Sequence, residues 1–305
     1  MQKRGKMDIR LGNNSVGLPT YKKIISIDIR KLRSGIGKCV LGFTILFIFL
    51  FPIYWLLLMS LQENIATAEG ITLIPRQLTL SSYIELFTKK GFGTALANSL
   101  ITAVLSLLFS LSFGICSAYV LARKRFQFKA RRVFTGWVLL VRILPPVAFV
   151  VPLYILFNKT GLLGSRIPVI MSCMLINIPL IIWFIISFFQ ELPESVEESG
   201  KIDGATEWQL FTKVVTPLVL PGIAAVSMLS FMYAWNEYTY SIILTRSPSQ
   251  FTIPLALAVL NTEDNVTNFG LVSAGGVCSF VPILLFVVFA QNYLISGLSS
   301  GSVKE

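Results

Sequence analysis

Six long apolar runs dominate the pattern of hydrophobic and polar positions along the chain. They lie at residues 39–61, 98–121, 134–157, 168–189, 218–244 and 271–295. A helix needs roughly 20 apolar residues to cross a hydrocarbon core of about 30 Å, and each run supplies them. None alternates with the two-residue period of a membrane β-barrel, and a helix satisfies its own peptide groups inside lipid. The pattern predicts an all-α polytopic membrane protein with six transmembrane helices in contact with lipid.

The distribution of Lys and Arg predicts the orientation of these spans. With the N-terminus in the cytoplasm, nineteen of the 26 basic residues lie in cytoplasmic segments and six in outer loops, with Arg142 inside the third span. Cytoplasmic loops carry the excess of basic residues in membrane proteins. We therefore expect a multi-pass protein of a bacterial-type cell membrane with both termini cytoplasmic.

The same pattern divides the chain into three parts: a basic cytoplasmic segment (1–38), a six-span domain (39–295) and a short cytoplasmic tail (296–305). The first apolar run is too long for a signal-peptide core, so we expect it to be retained. The outer loop at 62–97 contains apolar residues, such as Leu86, that favour partial order.

Composition excludes several classes of protein. The chain has no histidine, which removes the commonest general base and metal ligand. Its four cysteines form no CxxC pair, and we expect inert thiols and no metal site. The net charge of +11 follows from topology and does not indicate nucleic acid, because the basic residues are not interleaved with stacking aromatics. No phosphate-binding loop occurs, so we expect no catalysis and no cofactor bound by this chain.

The loop between the fourth and fifth runs, residues 190–217, departs from its surroundings because it holds six acidic and two basic residues. Acidic residues contribute little to topology, so another requirement selects them. Pro193 and the acids after it favour a helix that runs to about Ile202. Gly204 can adopt the positive φ of a turn, and a second helix is expected from Ala205. The loop is predicted to form a helix-turn-helix outside the bilayer.

This loop resembles the EAA loop of ABC-importer permeases, through Glu198-Ser199-Gly200, Asp203-Gly204-Ala205, Phe211, Pro217 and Pro221. Two departures are visible: Ser199 and Gly200 replace the two alanines, and Thr216 replaces a leucine. The resemblance implies a coupling helix that sits in a cleft of a separate ATPase. The residues expected to couple are Glu197, Glu198, Ser199, Gly200, Asp203, Gly204, Ala205, Phe211 and Pro217. The alternative is an acidic solvated loop that matches by chance.

The resemblance extends over residues 36–305 and points to the sugar-importer branch, which includes the second subunit of the maltose permease. It is carried by Pro52-Ile-Tyr-Trp, Asn98-Ser-Leu, Leu144-Pro-Pro, Trp235-Asn-Glu and the segment from Gly297 to Lys304. It implies a transport subunit and not an enzyme. The expected partners are a second permease subunit, two cytoplasmic ATPases that bind ATP and Mg, and an extracytoplasmic solute-binding protein. ATPase closure would then drive alternating access for a sugar or oligosaccharide.

Two segments are candidates for a cavity or substrate path. Pro145 and Pro146 should kink the third span, and Trp235, Asn236, Glu237 and Tyr238 place an acid among aromatic and amide groups within the fifth. The alternatives are passive packing at the prolines and an ordinary interfacial belt of aromatics.

Three alternative functions stay open. An ABC importer of another solute would share the coupling loop. An ion-coupled secondary transporter predicts paired ionisable residues in the spans, and beyond Arg142 and Glu237 we find none; it would also leave the acidic loop unexplained. A membrane scaffold or insertion factor without transport activity would purify with neither an ATPase nor a binding protein.

Overall fold

The computed structural model describes residues 29–62, 78–126, 129–260 and 268–301. Within these residues the chain is helical and contains no strand, which confirms the all-α prediction. The helices are α1 Ile29–Ser60, α2 Ser81–Thr88, α3 Phe92–Ala122, α4 Arg131–Ile143, α5 Val150–Lys159, α6 Ile167–Glu191, α7 Glu194–Ile202, α8 Glu207–Leu218, α9 Leu220–Trp235, α10 Thr239–Leu244, α11 Ile253–Leu260 and α12 Phe269–Gly301. Most of the predicted N-terminal segment and the last four residues of the predicted tail lie outside the described residues.

Four helices, α1, α3, α6 and α12, are long and apolar enough to cross a membrane. Two bent pairs, α4 with α5 and α8 with α9, bring the number of candidate spans to six if each pair counts as one. The described residues fall into two compact units, which divide between Pro52 and Ile53. The second unit contains both predicted sites.

The third apolar run is broken, as its two prolines predicted. Helices α4 and α5 meet at an angle of 106°, and Leu144 and Pro145 between them are extended, with ψ of 133° and 139°. Proline lacks an N–H group and disfavours helical geometry in the residue before it, so the chain leaves the helix there.

The fifth apolar run, 218–244, is not one continuous helix. Helix α9 ends at Trp235 and α10 begins at Thr239. Between them, the Glu237 carboxylate accepts the Tyr240 N–H at 2.5 Å, and Thr252 Oγ1 donates to the Glu237 carbonyl at 2.9 Å. These bonds satisfy peptide groups that a break inside a membrane would otherwise leave unpaired.

Helices α3 and α6 form the centre of the second unit, and α9 packs against both. A Cβ atom on Gly114 of α3 would lie 2.6 Å from Ile181 Cγ2 of α6, so only glycine permits this contact. Helix α3 begins at Phe92, six residues before the predicted span. In the outer loop, α2 confirms the predicted partial order, with Leu86 fully buried.

Candidate functional site

The loop at 190–217, hereafter called the coupling loop after its predicted role, forms the predicted helix-turn-helix. Helix α7 ends at Ile202, and Gly204 turns the chain with φ of +80°. A Cβ atom on Gly204 would meet no atom within 4 Å, so the glycine is needed for its backbone conformation and not for space. The predicted role of Gly204 in the turn is confirmed.

Helix α8 begins two residues later than predicted, because Thr206 caps it. Thr206 Oγ1 accepts the Gln209 N–H at 3.3 Å, and Gln209 Oε1 accepts the Thr206 N–H at 2.9 Å. This reciprocal capping box fixes the start of the helix. Its middle, Leu210–Val215, has π-helical hydrogen bonding.

The two small residues that replace alanines have different surroundings. Gly200 lies where α7 meets α8, and a Cβ atom there would be 2.5 Å from Leu210 Cδ2. Ser199 is exposed, and its hydroxyl donates to the Ser195 carbonyl of its own helix at 2.9 Å. Gly200 therefore belongs to the contact between the two helices, and Ser199 faces outward.

The base of the coupling loop is fixed in an apolar cluster. Phe211 and Val215 of α8 are buried against α3 and α6. The Tyr119 ring of α3 lies 5.0 Å from the Phe211 ring and 5.4 Å from the Phe189 ring of α6. Aromatic contacts at these distances bind all three helices into one packed body.

Glu197 is the buried acid of the coupling loop, with 5% of its surface exposed. Its Oε1 lies 2.6 Å from Arg123 Nε, and its Oε2 lies 2.8 Å from Arg125 Nη1. Tyr119 Oη donates to Oε2 at 3.2 Å, and Arg125 also donates to Tyr119 Oη. We call these four residues the Glu197 cluster. They join α7 to the end of α3 and the residues just after it.

A second, exposed pair of contacts extends the Glu197 cluster. Arg125 Nη2 lies 2.7 Å from Glu207 Oε2, and Lys201 Nζ lies 2.8 Å from Glu207 Oε1. The hydrogen bond from Lys201, followed by the nearby Arg125 charge, lowers the pKa of the Glu207 carboxyl. The Glu207 side chain is 55% exposed, so these pairs contribute little to stability.

The tip of the coupling loop, residues 202–208, is exposed and partly apolar. Ile202 is 85% exposed and Trp208 is 67% exposed. Glu198, just before the tip, and Asp203 and Gly204 within it are exposed as well, and the described residues give the Asp203 carboxylate no partner. Of the predicted coupling residues, Pro217 is also exposed, Ala205 is half-buried, and Glu197 and Phe211 are buried.

The candidate path residues also divide into a buried group and an exposed group. Trp235 is 2% exposed and stacks on Phe231, and Glu237 is 4% exposed. Pro145, Asn236 and Tyr238 are exposed. Tyr240 Oη donates to the Pro146 carbonyl at 3.0 Å, which brings the breaks in the third and fifth runs together. A role for these residues in a substrate path stays a prediction.

At the opposite end of α3 lies a long-range polar contact that no sequence pattern predicts. Asn98 Nδ2 donates to the carbonyls of Ser249 and Phe251 at 2.9 and 3.0 Å, and Arg166 Nε donates to Asn98 Oδ1 at 2.7 Å. We call these four residues the far-end clamp. The sequence likewise does not single out Tyr119, Arg123 or Arg125, because topology alone accounts for two arginines that follow a span.

Residues 110–300 match the family model described as "Binding-protein-dependent transport system inner membrane component". The chain is 35% identical over 273 residues to an arabinooligosaccharides transport system permease protein of Halalkalibacterium halodurans, covering 87% of this chain and 95% of the relative. It is 31% identical over 256 residues to a trehalose transport system permease protein of Mycobacterium tuberculosis, covering 84% and 92%.

The fold is similar to a subunit in the crystal structure of a bacterial ABC transporter involved in the import of alginate. The TM-score is 0.72 at 25% identity, with 90% of this chain and 99% of that chain covered. A MetNI methionine ABC transporter structure shares the fold at a TM-score of 0.53 and 15% identity. The match over the family model and over nearly the whole length of these permeases identifies the chain as a member of the binding-protein-dependent transport system inner membrane components.

Proposed function

We propose that the chain is one of two membrane subunits of an ATP-driven importer for a sugar or oligosaccharide. The relatives named for arabinooligosaccharides and trehalose, and a Streptomyces coelicolor relative named for diacetylchitobiose uptake, support this substrate class. They are matched over 92 to 99% of their own lengths, so the likeness is not confined to the coupling loop.

We infer that the coupling loop binds a separate cytoplasmic ATPase. The observation that carries this proposal is the contrast between its base and its tip: Phe211 and Glu197 are buried in the bundle, whereas Ile202 and Trp208 are exposed outside the apolar runs. Large apolar side chains exposed on a polar element are typical of a surface that a partner covers. The tip would then contact the ATPase and the base would transmit its movement.

The rigid connection between tip and base supports a mechanical role. Helices α7 and α8 touch at Gly200, and α8 meets α9 with an angle of 77° at a break of a single residue, Val219. ATPase closure around ATP and Mg would move the coupling loop as a rigid body. The exposed residues near the two helix breaks, Pro145, Asn236 and Tyr238, would border the path that opens.

Docking is tested by changing the tip alone. Ile202→Glu should abolish co-purification of the ATPase, because it replaces an exposed apolar contact with a charge. Ile202→Leu keeps the apolar contact and serves as the matched control. Normal ATPase co-purification and uptake in the glutamate variant would overturn the docking proposal.

Substrate class is tested on the complete complex. The two permeases, the ATPases and the binding protein are reconstituted in lipid vesicles. The vesicles should take up labelled oligosaccharides only when ATP is present on the side of the membrane that carries the ATPases. Thermal-shift screening of the binding protein should select a sugar. Uptake driven by an ion gradient without the ATPase, or selection of a different solute class, would contradict the proposal.

A further inference from the structure

The Glu197 cluster connects the coupling loop to a helix that is distant in sequence. Tyr119 and Glu197 are separated by 78 residues, yet the carboxylate receives contacts from Tyr119, Arg123 and Arg125, at the end of α3. Arg123 Nη1 also donates to the Leu192 carbonyl, between α6 and α7, at 3.2 Å. The coupling loop is therefore held by α3 as well as by α6 and α9, the helices to which it is joined in sequence.

Burial makes the ion pair between Arg123 and Glu197 stiffer than the ion pair between Arg125 and Glu207. Arg123 and Glu197 side chains are each 6% exposed, whereas Glu207 is 55% exposed. A buried ion pair is screened less by water and salt than an exposed one, and separating it leaves an unpaired buried charge. Helix α7 and the end of α3 should therefore move as one body.

Helix α3 is suited to carry that movement across the bundle. It is an α-helix of 31 residues with no proline, which corresponds to a length of about 46 Å. At its other end, Asn98 binds the Ser249 and Phe251 carbonyls in the segment that follows α10. The path through α9, in contrast, is interrupted after Trp235.

We propose that the Glu197 cluster transmits displacement of the coupling loop into α3, which delivers it to the far-end clamp. Glu197 and Arg123 are then positioning residues that act through α3 and touch neither substrate nor ATP. This inference rests on the proposed ATP-driven function, because it concerns the route by which the same movement reaches the spans.

The test compares Glu197→Gln with Glu85→Gln in the complete reconstituted complex. Both replace a carboxylate by a neutral amide of similar size, but Glu85 lies in α2, outside the Glu197 cluster and outside the coupling loop. Glu197→Gln should keep assembly and ATP hydrolysis while sugar transported per ATP falls roughly tenfold, a change within the range of coupling effects. Glu85→Gln should leave this ratio unchanged. A merely structural role would lower hydrolysis and uptake together, which would overturn the proposal, as would an unchanged ratio in Glu197→Gln.

A second measurement does not depend on that variant assembling. Spin labels at exposed Lys124, just after α3, and at exposed Ser195 of α7 report whether the end of α3 and α7 move together. The native cysteines of the complex are replaced by serine for this measurement. The distance between the labels should be the same without nucleotide and with trapped ATP. A change larger than the width of the distribution would overturn the proposal. Absence of any ATP-dependent uptake by the wild-type complex would instead contradict the proposed function.

Discussion

At one end of α3, charged side chains around buried Glu197 hold the coupling loop, and at the other end Asn98 holds two backbone carbonyls by neutral hydrogen bonds. A buried charge is expensive to leave unpaired, so the loss of one partner should cost more at the first end. A neutral hydrogen bond contributes only about 1 kcal/mol, so the second end is more tolerant. Under the proposed function, the end that faces the ATPase is the one built to resist separation.

The largest difference in stability between the two ends of α3 is expected when one arginine at each end is replaced by alanine. Arg123→Ala leaves Glu197 buried with fewer cations and should cost about 3 to 5 kcal/mol. Arg166→Ala removes a hydrogen bond that an exposed, charged guanidinium donates to buried Asn98, and should cost about 1.5 to 3 kcal/mol. Apparent midpoints of thermal unfolding of the purified complex measure both. Equal shifts for the two variants would remove the distinction between the ends.

A smaller loss is expected from Asn98→Ala at the far end. The Asn98 side chain is 1% exposed, and its loss leaves two carbonyls without that donor, at a cost of about 1 to 3 kcal/mol. The thermal midpoint should fall by less than in Arg123→Ala. A fall as large as that of Arg123→Ala would show that the far end also depends on every partner.

Overpacking the contact between α7 and α8 should cause a loss of stability of intermediate size. Gly200→Ala would place Cβ 2.5 Å from Leu210 Cδ2, and Leu210 is fully buried, so overpacking should cost about 1 to 3 kcal/mol. The higher helix propensity of alanine returns at most roughly 1 kcal/mol. Adding Leu210→Ala relieves the close contact, so the cost of Gly200→Ala should disappear in that background. Identical costs in both backgrounds would exclude this contact as the cause.

The smallest effect concerns the exposed acid beside the Glu197 cluster. The pKa of Glu207 is lowered by Lys201 and Arg125, so its stabilisation is present above the ordinary value of about 4.5 and is lost as pH falls through the lower, folded value. Because the side chain is largely exposed, Glu207→Gln should cost no more than about 1 kcal/mol at neutral pH. The difference from wild type should shrink at high salt and at acid pH. If the difference in stability between Glu207→Gln and wild type grew on acidification, the stabilising role of the ionised Glu207 carboxylate would be contradicted.

Features with a local physical cause could be predicted from the sequence. The apolar runs, the break at Pro145 and Pro146, and the turn at Gly204 each depend on residues close together in the chain. The break after Trp235 does not follow from the polar residues there, Asn236 and Glu237, because the partner that compensates it, Thr252, lies beyond the apolar run.

The Glu197 cluster could not be predicted from the sequence for a different reason. Arg123 and Arg125 already satisfy the positive-inside rule, so their charge gave no sign of a second role. Only the folded chain shows that they meet Glu197 and that this acid, unlike its neighbour Glu198, is buried. The coupling loop thus contains one acidic residue, Glu197, that is buried against the helix bundle. Other acidic residues of the loop are exposed on the surface proposed to contact the ATPase.

The most direct test of the central claim compares two glycines with the same backbone requirement. Gly204 at the tip and Gly161, in the loop between α5 and α6, both have positive φ, both are exposed, and a Cβ atom on either would meet nothing within 4 Å. Valine at either position costs about 1 to 3 kcal/mol of backbone strain. If the coupling loop transmits ATPase movement, ATP-dependent uptake per assembled complex should collapse in Gly204→Val and persist in Gly161→Val. Undiminished uptake in Gly204→Val, with normal ATPase association, would contradict the account.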